Sequence, residues 1–79
     1  DPRVSRMHAR IDWRQGVFTL TDLSSFGSWV RFDGSDAEVR LRRDACILHG
    51  SGTISLGIAF GPGAPVLKFH VTGSSMNLS

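Results

Sequence analysis

Ser5 and Arg6 stand side by side, three and two residues ahead of His8, where an alternating apolar run begins. A phosphoryl dianion needs a hydroxyl or amide donor together with a guanidinium on a rigid loop, because it carries nearly two charges and three acceptor oxygens. A serine followed by an arginine at the start of a strand supplies both. Two other chemistries use residue types present here, and both fail on spacing. Ser5, His8 and Asp12 are hydrolase residue types, but His8 and Asp12 lie four apart on one face of an extended chain, too far for a direct hydrogen bond. No nucleophile elbow or oxyanion loop accompanies them. Cys46-x-x-His49 hints at zinc, yet residues three apart on a strand point to opposite faces, and no second pair has ligand spacing. No catalysis, no metal and no cofactor are therefore expected.

The elements that hold such a loop must come from a short chain. Its 79 residues allow one small domain with a thin core. Cys46 is the single cysteine, so no intramolecular disulfide forms. An unpaired thiol suits a reducing compartment, and a cytoplasmic location is expected. The hydrophobic fraction is an ordinary 41%. No apolar run approaches the roughly 20 residues of a membrane helix, and Asp1 to Arg6 has no apolar signal-peptide region. No membrane partner is expected. The net charge of +2 is too mild to argue for nucleic acid, although eight of the nine basic residues are arginine. Arg40, Arg42 and Arg43 read as a solvated face, with Arg42 placed at the end of the fold opposite Ser5.

Nine glycines and three prolines cut the chain into segments that suit strands better than helices. Met7, Ala9, Ile11 and Trp13 alternate with His8, Arg10 and Asp12, which is period two with one face buried. A turn at Gln15-Gly16 leads to a second strand carrying Phe18 and Leu20. Further strands are read at Trp29 to Phe32, Glu38 to Arg42, Ala45 to Leu48, Thr53 to Leu56 and Val66 to Val71. Ala37 to Leu48 also admits a helix, since Leu41, Ala45 and Leu48 recur at helical spacing. Trp13 and Trp29 read as packing residues. Gly61 to Pro65 is a rigid connection, and residues 74–79 are expected to form a disordered or frayed tail. There is no interior linker, repeat or second domain.

Regular short strands separated by turns suggest a β-sandwich or barrel, and three motifs narrow the choice. Val4-Ser5-Arg6-Met7-His8-Ala9-Arg10-Ile11 resembles the Ser-Arg-x-His signature of forkhead-associated (FHA) domains. Asp22-Leu23-Ser24-Ser25-Phe26-Gly27-Ser28-Trp29-Val30 looks like that family's Asp-x-Ser-x-Asn-Gly-Thr-x-Val loop, with Phe26 where the family has Asn and Ser28 where it has Thr. Leu48 to Gly57 is similar to its closing Leu-x-x-Gly-Asp-x-Ile-x-Leu-Gly element.

The resemblance implies an all-β, antiparallel β-sandwich of FHA (SMAD/FHA-like) type spanning 1–73. It implies that the family's Gly-Arg motif and first strands lie before Asp1, so the chain is expected to begin inside the domain. It further implies a phosphothreonine-peptide-binding module in signalling, whose partner is a threonine-phosphorylated protein or peptide. Ser5, Arg6, Ser25, Phe26 and Ser28 would contact the phosphopeptide, with His8 and Gly27 bracing the loops; Phe26 could instead fold back onto the sheet. Threonine selectivity would come from a small pocket for the methyl group. The alternative is a phospho-independent structural or oligomerisation module regulating an attached enzyme, since Arg42 to Gly57 and Pro65 to Val71 look similar to FHA modules of bacterial nucleotide cyclases. Missing strands would leave Ile11, Phe18, Leu20, Ile54 and Phe69 uncovered, and a homo-oligomer through that edge is expected.

Overall fold

Alternating side chains over Ala9–Arg14 (β1) and Val17–Asp22 (β2) need a partner face, and the chain supplies it by folding two sheets against each other. A computed structural model describes residues 2–79. The strands that follow are Ser28–Phe32 (β3), Val39–Leu41 (β4), Ala45–Leu48 (β5), Ser51–Leu56 (β6), Val66–Thr72 (β7) and Ser75–Leu78 (β8). One sheet has the order β1-β2-β5 and the other β4-β3-β6-β7-β8, with every pairing antiparallel. The molecule is an antiparallel β-sandwich, with no helix among the described residues.

Local chemistry sets the register. Arg14 pairs with Val17, so Gln15 and Gly16 alone form the β1–β2 turn, with φ of 53° and 83°. Two positive φ values are what a type I′ hairpin requires, and its twist matches that of the strands. From the first sheet Leu20 and Leu48 point inward to meet Val30, Leu41, Ile54 and Phe69 from the second, all six buried. Each such side chain contributes about 1.5–3 kcal/mol on leaving water. Gly52 sits under the Phe69 ring, where a Cβ would lie 2.6 Å from the ring and 2.4 Å from the Arg31 carbonyl oxygen.

Several expectations change. Residues 74–79 are not a frayed tail: Ser75–Leu78 pairs with β7 from Phe69↔Leu78 to Thr72↔Ser75, across a two-residue turn led by Gly73. The polar composition that suggested fraying reflects an outermost strand facing water. Ala37 to Leu48 is not a helix, because Arg43 at φ 57° breaks the run and β4 and β5 join different sheets. Leu20, Ile54 and Phe69 are not left uncovered, since the two sheets close over them, while Ile11 and Phe18 pack at the margin of that core. Trp13 is half exposed at the β1 edge, its ring tilted against Phe18 at 4.8 Å. The first strand starts at Ala9 and leaves Met7 in the preceding turn, 72% exposed.

The sandwich is pinned on one side, where the Arg42–Asp44 turn crosses from sheet to sheet and the Asp44 carbonyl accepts from the Asp22 amide at 2.9 Å. A cleft of about 430 Å³ lies between the sheets, lined by Ile11 and Leu20 of one and Ile54, Leu56, Leu67 and Leu78 of the other. Val4, Ser5, Arg6, His8 and Ala9 line it as well.

Candidate functional site

Three segments meet at one end of the sandwich: residues 3–8 before β1, residues 23–27 between β2 and β3, and residues 42–44 between β4 and β5. Hydrogen bonds on polar side chains hold them there. His8 is buried, and its Nε2 donates to the Gly27 carbonyl at 2.8 Å, while its Nδ1 accepts from the Ser5 amide at 3.0 Å. A carbonyl only accepts and an amide only donates, so the ring is fixed as the tautomer protonated at Nε2. One imidazole thereby ties the Ser5 loop to the 23–27 loop.

Gly27 serves this bond through its backbone. Its φ is 97°, in the left-handed region, and its carbonyl accepts both from His8 and from the Gly57 amide at 2.9 Å. Gly57 in turn lies so close to the first segment that a Cβ would fall 2.2 Å from the Arg3 carbonyl oxygen. The closing motif of the sequence thus packs directly beneath the loop that carries Ser5.

Asp22 is the second tie. Its fully buried carboxylate accepts from the Ser24 hydroxyl at 2.8 Å and the Ser28 hydroxyl at 2.6 Å on Oδ1, and from the Arg43 amide at 2.9 Å on Oδ2. The Ser24 hydroxyl accepts in turn from the Gly27 amide at 2.8 Å. Burial by itself raises the Asp22 pKa, but the donors from Ser28, Arg43 and Ser24 outweigh it and hold the carboxyl below its ordinary value. His8 Nε2 lies 3.7 Å from Oδ1, so the two ties form one network.

On this frame Ser5, Arg6, Ser25 and Phe26 are exposed, with Phe26 at 53%. Phe26 therefore does not fold back onto the sheet. Arg6 has no ion-pair partner among the described residues. Ser28 departs from its expected role as a contact residue: it is fully buried and its hydroxyl is spent on Asp22, so no peptide reaches it. Ser24 holds the equivalent inward position, and sequence reading missed both it and Asp22 as a unit, although Asp-x-Ser stood in the quoted motif. Asp12 accepts from Arg10 at 2.8 Å on the β1 surface, while the His8 ring is bonded to Ser5 and Gly27. Arg42 does not lie at the opposite end. The Asp22–Arg43 and Asp22–Asp44 bonds bring its turn beside the 23–27 loop.

An antiparallel β-sandwich whose one end presents a hydroxyl and a guanidinium on loops braced from within has the form of an interaction module. The chain is a member of the FHA domain family, whose model matches residues 1–57, and members of that family bind phosphorylated peptides. Among curated proteins it is similar to zeaxanthin epoxidase, chloroplastic, from Prunus armeniaca, with 57% identity over 30 residues. That stretch is 37% of this chain and spans 4% of the enzyme. No solved structure matches the chain.

Proposed function

We propose that this domain binds phosphothreonine peptides at the end formed by residues 3–8 and 23–27, and has no catalytic activity of its own. The observation that carries the reading is the exposed Ser5-Arg6 pair on a loop locked from behind by His8. The Arg6 guanidinium pairs with the phosphoryl group or an acidic flank, and the Ser5 hydroxyl donates to a phosphoryl oxygen. A loop already fixed before binding loses little entropy when the ligand arrives. Charge-assisted hydrogen bonds contribute about 1.5–3 kcal/mol each, so Ser5→Ala and Arg6→Ala should each weaken binding by roughly tenfold or more.

Fluorescence anisotropy with one peptide in its phosphothreonine, phosphoserine and unphosphorylated forms tests this. Selective binding of the phosphothreonine form is expected; equal affinity for the unphosphorylated peptide refutes the reading. The similarity to a short stretch of a far larger enzyme supports a module joined to other domains, which it would connect to a phosphorylated partner.

One observation favours a second reading, that of a phospho-independent oligomerisation module. The apolar cleft opens between the outer strands β1 and β8, each hydrogen-bonded to a single neighbour strand. A second copy that seats an edge strand there would bury its lining and pair free backbone groups.

A further inference from the structure

The β4–β5 turn carries two arginines that pattern reading left as a solvated face. Arg43 has φ 57°, a left-handed conformation that is unfavourable for any residue with a Cβ. The turn keeps it because the Arg43 amide donates to Asp22 Oδ2 at 2.9 Å and the Asp44 carbonyl accepts from the Asp22 amide at 2.9 Å. The Asp22 residue that organises the 23–27 loop therefore also fixes this turn. The Arg43 side chain is directed onto the same loop, its Nε 3.4 Å from the Ser24 carbonyl oxygen, next to exposed Ser25 and Phe26.

No carboxylate among the described residues pairs with the Arg43 guanidinium. The three segments at this end hold Arg6, Arg42 and Arg43, all exposed, against Asp44 as the one exposed acid among their described residues. Asp22 is buried and already committed to its donors. This end is cationic beyond what one phosphoryl group needs. His8 ties the Ser5 loop to Gly27, the Gly27 amide bonds to Ser24, and Ser24 accepts from Arg43, so the Ser5-Arg6 pair and the Arg43 turn flank the same 23–27 loop.

We propose that Arg43 is a second anion-binding residue of this face. The preferred ligand is then a phosphothreonine peptide with a further acidic group, either a carboxylate or a second phosphoryl, within a few residues of the first. The inference rests on the phosphopeptide reading above and specifies its ligand class. The planar guanidinium suits both anions, since each offers paired oxygens to its fork of donors.

The test compares three peptides that share one phosphothreonine core. One has neutral flanks, one carries Asp and Glu flanks, and one carries a second phosphoserine; each is titrated into the 79-residue chain and into its Arg43→Gly variant. Glycine accepts the positive φ and keeps the amide bond to Asp22, so this variant retains the turn and loses only the side chain. The unaltered chain should favour the acidic-flank or doubly phosphorylated peptide by about three- to tenfold over the neutral one, with the advantage shrinking at high salt. Which of the two binds tighter identifies the anion. Arg43→Gly should erase that advantage while changing affinity for the neutral-flank peptide by about twofold or less. An advantage that survives in Arg43→Gly, or no advantage in the unaltered chain, overturns the assignment. If none of the three peptides binds the unaltered chain, the phosphopeptide reading itself falls and the assignment with it.

Discussion

Removing the Asp22 carboxylate should be the most damaging single change at the functional end, for stability and binding together. Asp22→Ala strands the Ser28 hydroxyl and the Arg43 amide, and leaves Ser24 with only its bond from Gly27. Three hydrogen bonds to a charged acceptor contribute about 1.5–3 kcal/mol each, offset by the several kcal/mol that burying a charge costs. A net loss of about 3–5 kcal/mol is expected, against the roughly 4–12 kcal/mol total of a domain this size. Urea denaturation followed by tryptophan fluorescence measures it. Trp29 is a local reporter because its ring packs against Gly27, 3.7 Å from where a Cβ would stand. The pH dependence gives an independent check. The folded-state pKa of Asp22 is lowered, so the unfolded chain takes up the proton more readily. The carboxylate's contribution is therefore complete above the unfolded value of about 4 and is lost as pH falls through the folded value. Asp22→Asn should flatten that acid limb. A loss below about 1 kcal/mol in Asp22→Ala, with the limb unchanged, would refute the view that this carboxylate organises the loops.

Gly57→Ala should displace the first segment, since the added methyl meets the Arg3 carbonyl oxygen and φ is 83°; a phosphopeptide titration that matches the parent chain would show that Ser5 does not depend on this contact. Burial pushes the Cys46 thiol pKa above its ordinary value, so alkylation by iodoacetamide near pH 8 should run slower than for a free thiol and accelerate in urea; equal rates would mean that the β5 position is open. The second-copy reading predicts a dimer by light scattering at micromolar concentration that Leu78→Lys disperses, because Leu78 lines the cleft and is half exposed; a monomer at all concentrations would remove that reading.

Strand character was legible in the residues themselves. Period-two runs such as Ala9 to Trp13, bounded by turns such as Gln15-Gly16, specify pleated segments whatever they pack against, although the alternation from Met7 overran the strand's start by two residues. The adjacency of Ser5, Arg6 and His8 was equally a property of the chain, and so was the motif order that pointed to the family. What the sequence could not carry was the contribution of each residue to a contact between distant segments. Ser25 and Ser28 are chemically alike and three residues apart, yet one faces water and the other is closed over by Asp22, a difference set by where the β3 strand begins. The tail from Gly73 looked unstructured because an outermost strand needs few apolar residues, and its hydrogen bonds come from β7. Arg43 gave no local sign at all. Its place beside Ser24 follows from a buried carboxylate 21 positions earlier, and sequence spacing does not encode a contact that exists only once two sheets have stacked.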